Sequence, residues 1–283
     1  MKHIFLNLKR FDVPKEFGGV NALAAPAAYG ETVVNAVQDK LESYDPSSAE
    51  FGIYFPEAHL LSALSARNEN SHLKIGAQSV FRTDTAPGGN FGAFTSQRPA
   101  SAVRALGCDT VMIGHCEERN EKRDLLAMAG VTGRQAADVI NKVLNEEIRC
   151  AVNRGLHVLY CIGERSEEQD EWQEVLGAQI NSGLDGICTE NIVIAYEPVW
   201  SIGPGKTPAD KPYIQKIARY IRSLKDVDVV YGGGLKQDNA PMLASIPEIS
   251  GGLIALTRFS GDIGFYPDEY LEIIDLYLSN CEK

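Results

Sequence analysis

A carboxylate closes one of the most apolar blocks of the chain. The block "IVIAY" (192–196) runs into Glu197 and then into "PVWSIGPGKTP" (198–208). The ending Gly205-Lys206-Thr207 suggests a phosphate cradle. A P-loop, however, needs a glycine five positions before Gly205, and Trp200 stands there. Two readings stay open for the stretch. It is an ordinary strand–loop–helix connection with surface Gly and Pro, or it is a closing lid beside a catalytic acid.

Other polar residues follow apolar blocks in the same way. Asn7 and Lys9 come at the end of "HIFLNL" (3–8), Gln78 and Ser79 at the end of "LKIGAQSV" (73–80), and His115 opens "HCEER" after "TVMIG" (110–114). Glu164 follows "LHVLYCIG" (156–163), and Gly234 follows "VDVVYGG" (227–233). Each has a plain structural reading. Lys9 can be a solvated strand-end lysine, His115 a satisfied core histidine and Glu197 an ion-pair partner, while Glu117 and Glu164 orient neighbours. Taken together they offer a base, an electrophile and a cation, the set that proton abstraction beside a carbonyl requires.

Such residues must be carried to one place. Eight β-rich blocks recur along the chain, the remaining two being "FGIYF" (51–55) and "GGLIAL" (251–256). Most are near-continuous apolar runs, as expected of strands covered on both faces. Helical patterns lie between them, at 30–44, 133–155, 210–224 and 267–278. The first places Val33, Val34, Val37 and Leu41 on one face. Strand–helix alternation implies a parallel sheet, and eight units imply an α/β fold closed into a (β/α)8 barrel. In that architecture the strand C-termini form the working face. No linker-like or low-complexity stretch interrupts the pattern, so 1–283 is expected to be a single domain. The loops 10–30 and 82–99 are long enough to expect function or disorder of them.

Composition narrows the partners. The chain has 283 residues, 44% hydrophobic and 23% charged, enough for one large core. Its net charge of −11 and pI near 5.0 disfavour nucleic acid and anionic lipid. No apolar run reaches the roughly 18 residues of a membrane span, and the N-terminal stretch lacks the features of a signal peptide. The six cysteines show no C-x-x-C spacing and mostly sit in apolar segments, as buried reduced thiols of a cytoplasmic protein do. The five histidines are too scattered to suggest a metal site by spacing.

The motifs themselves resemble triosephosphate isomerases. "LNLK" (6–9), "GAQSV" (76–80), "GAFT" (92–95), "IGHCEER" (113–119), "CIGE" (161–164), "AYEPVWSIGPGKTP" (195–208) and "YGGGLKQDNA" (231–240) follow that family's order over nearly the whole chain. The resemblance implies Glu197 as base and His115 as electrophile, a neutral imidazole at a helix N-terminus in that family. It implies Lys9 as the cation that stabilises an enediolate, with Asn7 as its polar neighbour and Glu117 in support. Gly203 and Gly234 match backbone contacts to a substrate phosphate, and 198–206 matches the lid. "GAFT", with Thr95, matches the loop that crosses to a partner subunit, implying a homodimer through 82–99. A small phosphorylated sugar is implied as substrate, and no metal or organic cofactor.

The reaction expected is interconversion of dihydroxyacetone phosphate and D-glyceraldehyde 3-phosphate. The alternatives are isomerisation of another short sugar such as a tetrulose phosphate, or a catalytically silent binding barrel. Five departures stand out. Leu8, Ser79, Cys116 and Gly234 replace the family's usual Trp, Asn, Ser and Ser, and Ala255-Leu256 replaces a Gly-Gly pair at the eighth strand, ahead of a lengthened loop. Arg258 in that loop is either a replacement phosphate ligand or the surface partner of Asp262 or another acid.

Overall fold

In the computed structural model, which describes residues 1–202 and 206–281, eight parallel strands close into a barrel in sequence order. They are β1 (Lys2–Asn7), β2 (Ala49–Phe55), β3 (Lys74–Ala77), β4 (Thr110–Ile113), β5 (His157–Ile162), β6 (Ile192–Tyr196), β7 (Asp228–Tyr231) and β8 (Gly251–Ile254). The helices outside are α1 (Tyr29–Glu42), α2 (Glu57–Ala66), α3 (Ala100–Ala105), α4 (Cys116–Met128), α5 (Gly133–Asn153), α6 (Trp172–Gly183), α7 (Lys211–Leu224), α8 (Ala240–Ala244) and α9 (Pro267–Ser279). All eight expected strands form. The block at 73–80 shortens to β3, because Gln78 leaves the ladder and turns its amide to Asn7, Lys9 and Tyr54.

Alternation along each strand divides the core in two. Even-numbered residues of β1 and β6, such as Ile4, Leu6, Ile192, Ile194 and Tyr196, face the helices. Phe5, Tyr54, Met112, Leu159, Cys161, Ala195, Val230 and Leu253 fill the barrel interior. Successive strand side chains point to opposite faces. Continuing the inward series Val193, Ala195 therefore brings Glu197 into the upper mouth, and Phe5 is followed by Asn7 in the same sense. Hydrophobic burial thus fixes the register, and the register aims the polar residues. The helices supply the outer cover: α1 buries Val33, Val34, Val37 and Leu41, and α5 buries Ala136, Ile140, Leu144, Ile148 and Ala151.

The opposite mouth is also polar. A cavity of about 300 Å³ there is lined in part by His3, Glu50, His157 and Asp228. His3 Nε2 lies 3.0 Å from Asp228, and Lys74 donates to Glu50 at 2.8 Å. Among the described residues no helix is long and apolar enough to cross a membrane.

Candidate active site

Glu197 sits where β6 ends, held by backbone on both sides. Its N–H donates to Ile162 O at 2.7 Å, and the preceding carbonyl, that of Tyr196, accepts from Gly232 N–H at 2.6 Å. Two glycines make room for it. A Cβ on Gly163 would lie 1.8 Å from Glu197 O, and one on Gly232 would lie 2.7 Å from Glu197 Cγ. The side chain is 2% exposed. Oε2 accepts from Cys116 N–H at 2.9 Å, whereas Oε1 lies 3.1 Å from His115 Nε2 without hydrogen-bond alignment and has no other partner. Burial raises the carboxyl pKa above its ordinary value, against the opposing pull of His115, the Cys116 N–H, Lys9 and Arg119.

His115 arrives differently. Gly114, at φ +81°, turns the chain out of β4 so that His115 becomes the N-cap of α4. Its Nδ1 accepts from Glu117 N–H at 3.2 Å. A nitrogen that accepts carries no proton, so the hydrogen of the ring lies on Nε2, facing Glu197. Behind it, Arg119 is buried and donates to Gly114 O, Cys161 O, Asn141 and Tyr160 OH. Glu118 accepts from Gly114 N–H at 2.6 Å. The first turn of α4 is therefore tied to β4 and β5 before its histidine does anything.

Lys9 holds a left-handed backbone, φ 41°, unusual for a side chain with a Cβ. The conformation is overdetermined: Lys9 N–H donates to Asn7 Oδ1 at 3.0 Å, and Lys9 O accepts from Gln78 Nε2 at 3.1 Å. The ammonium donates to Glu117 Oε1 at 2.5 Å, and the other Glu117 oxygen lies 3.7 Å from His115 Nδ1. Asn7, buried, also points its amide at Met112 Sδ, 3.6 Å away. Asn7, Lys9, His115, Glu117 and Glu197 therefore form one connected cluster at the strand C-termini.

Glu164 is fully buried and accepts from Tyr196 OH, Trp200 Nε1 and Tyr213 OH at 2.9, 2.8 and 3.0 Å. It anchors the segment that follows Glu197, as a residue that orients its neighbours. His115, Cys116 and Glu197 bring a ring nitrogen, a thiol and a carboxylate oxygen within 4.8 Å of one another. These are the residues that could hold a metal ion, but burial and Glu197 push the Cys116 thiol pKa up, which disfavours the thiolate a metal needs.

The remaining expected residues lie apart. Gly234, φ +97°, follows β7 with its carbonyl accepting from Asn239 at 2.8 Å. Gly203 lies outside the described residues. Arg258 gives Nε and Nη2 to Glu269 and stacks over Tyr266, while Asp262 takes Lys15. Thr95 is exposed on the 82–99 loop. Sequence reasoning does not single out Arg119, although "HCEER" contains it. A lone arginine carries no mark of burial, and only its place one turn into a capped helix could have suggested it.

The sequence profile described as triosephosphate isomerase matches residues 27–274. Triosephosphate isomerase of Lactobacillus helveticus (strain DPC 4571) is 33% identical over 260 residues, 86% of this chain and 90% of that protein. That of Pelodictyon phaeoclathratiforme is 36% identical over 186 residues, 61% of this chain and 68% of the other. The crystal structure of triosephosphate isomerase from Bartonella henselae superposes with a TM-score of 0.70 at 22% identity, covering 98% of this chain and 99% of that one, a likeness of fold.

Proposed function

The chain belongs to the triosephosphate isomerase family, and on that premise we infer that it interconverts dihydroxyacetone phosphate and D-glyceraldehyde 3-phosphate by moving a proton between adjacent carbons. The observation that carries the residue assignment is Glu197 Oε1, a buried carboxylate oxygen with no hydrogen-bond partner, 3.1 Å from the proton-bearing nitrogen of His115.

In this reading Oε1 takes the proton from the carbon beside the carbonyl. The C–H electron pair becomes the C=C bond of an enediolate, and the carbonyl π pair moves to oxygen. His115 Nε2–H donates to that oxygen, and Lys9 balances the charge once its ammonium turns from Glu117. The hydroxyl proton on the first carbon passes by way of His115 Nε2 to the charged oxygen, the oxygen it leaves becomes the new carbonyl, and the C=C electron pair takes the proton back from Glu197 at the neighbouring carbon. Asn7 and Glu117 hold Lys9 and His115 in place. As a lid, 198–206 would keep water from a phosphorylated enediolate that would otherwise lose its phosphate, and Gly203 would add a backbone donor. Residues 1–283 act as one unit, in the cytoplasm. The 82–99 loop, clamped at its base by Arg154 on Asp84 and Arg98 on Ser79, joins two copies, with Thr95 and the exposed Phe91 at the contact.

The test is turnover of a panel of three- to five-carbon sugar phosphates by the wild type and Glu197→Gln. The triose phosphates are expected to be the best substrates, and the variant to lose about 10²–10⁴-fold in kcat. A loss below tenfold would remove Glu197 as the base, and a better tetrose substrate would change the substrate.

A further inference from the structure

In α/β barrels the loops after the seventh and eighth strands commonly build a phosphate site. Here the inward series of β8 continues from Leu253 to Ala255, and Ala255-Leu256 put β-carbons where close backbone approach to an anion is easiest for glycine. Arg258, the nearest arginine in sequence, is held by Glu269 and Tyr266. The loop is not short of a cation, however. Lys236 follows β7, and its Cε lies 3.3 Å from where a Gly234 Cβ would be. Its ammonium has no acid partner among the described residues and rests 4.1 Å from the ring centroid of Phe259, a half-exposed residue of the β8 loop. The backbone beneath it is braced: Lys236 N–H donates to Asn239 Oδ1 at 2.9 Å, and Asn239 Nδ2 donates to Gly234 O at 2.8 Å. Gly234 N–H has no acceptor among the described residues. An unpaired ammonium, a free backbone donor and a rigid turn thus meet on the rim where the two loops face each other.

We propose that Lys236 binds the phosphate group of the substrate beside the Gly234 N–H, replacing contacts that Ala255-Leu256 no longer offer. The inference rests on the isomerase reading. The aromatic face is a weak partner that a phosphate dianion displaces, because an ammonium–phosphate hydrogen bond is charge-assisted on both sides. Phe259 then keeps the lysine turned toward the β8 loop when the site is empty.

Wild type, K236M, K236R and F259A are compared for kcat and KM with D-glyceraldehyde 3-phosphate and for competitive inhibition by inorganic phosphate. K236M is expected to raise both KM and the phosphate inhibition constant by about tenfold or more, with kcat changing less. K236R is expected to recover most of the loss. If Lys236 merely caps Phe259, K236M and F259A lower Tm alike while KM and phosphate inhibition stay at wild-type values, and the proposal falls. If the wild type shows no turnover, the isomerase reading fails separately. Calorimetric titration with inorganic phosphate then decides for Lys236, tighter binding to wild type than to K236M supporting it and equal binding overturning it.

Discussion

As the proposed base, Glu197 acts only when ionised, and its burial opposes ionisation. The acid limb of kcat/KM is therefore expected above the ordinary carboxylate range near pH ~4.3. Lys9→Met should move that limb higher still, because Lys9 is one of the groups holding the pKa down. A pH–rate profile checks both, and a limb at or below the ordinary range would contradict the environment described for Oε1. The sign for stability is opposite to that for activity. A carboxyl with a raised folded-state pKa binds its proton more tightly when folded. Its contribution is present below the unfolded pKa and is lost as pH rises through the folded one. At neutral pH the ionised Glu197 therefore costs stability, so loss of turnover in Glu197→Gln should come with an unchanged or higher Tm.

Among elements, the 82–99 loop carries the most exposed large hydrophobic side chain among the described residues, Phe91, 89% exposed and at φ 55°. A braced loop that ends in a bare aromatic is suited to insertion into a second copy. The wild type should sediment with the mass of two chains and Phe91→Asp with that of one, its circular dichroism unchanged. A wild type that sediments as one chain removes the dimer. The strands were legible because inward and outward positions are both apolar, and the polar residues just beyond them were legible because an even–odd count continues past the strand end. Asn7 and Glu197 follow that count. His115 does not, since Gly114 breaks it, and was found from its motif and its helix start. What stayed hidden in the sequence are pairings between distant segments. Arg119 across β4, β5 and α5, and Lys236 against Phe259 depend on neighbouring strands lying side by side, which brings residues together without leaving a local pattern.

The whole molecule divides its charges between two mouths. In the upper one burial raises the pKa of Glu197, while in the lower one their partners lower those of Glu50 and Asp228. Glu50 and Asp228 are each lowered to about 2: for Glu50, the nearby His3 at 3.6 Å and the Lys74 ammonium outweigh the cost of burial, and for Asp228 the His3 hydrogen bond does; His3 itself is raised. Stability from Glu50 and Asp228 is present above their unfolded pKa of ~4 and is lost as pH falls through about 2. That from His3 is present below ~6.5 and is lost as pH rises through its folded value. Denaturant titrations should show wild-type stability falling between pH ~4 and ~2, with a shallower fall in the Glu50→Gln, Asp228→Asn double variant; an equal fall would place the acid sensitivity elsewhere. The same lower mouth is where β1 meets β8, His3 opposite Gly251 and Phe5 opposite Leu253. That seam joins strands from opposite ends of the sequence, so its loop entropy is the largest of any strand pair and its contacts reward the chain last. During synthesis β1 emerges first and waits for a partner that is translated after every other strand. Until then the nascent chain is a curved open sheet with two unpaired parallel edges, on β1 and on β7, and its apolar inner face is uncovered. The closed barrel has no edge to offer another chain; its unfinished form has two, which makes the interval before β8 appears the period of greatest exposure to aggregation.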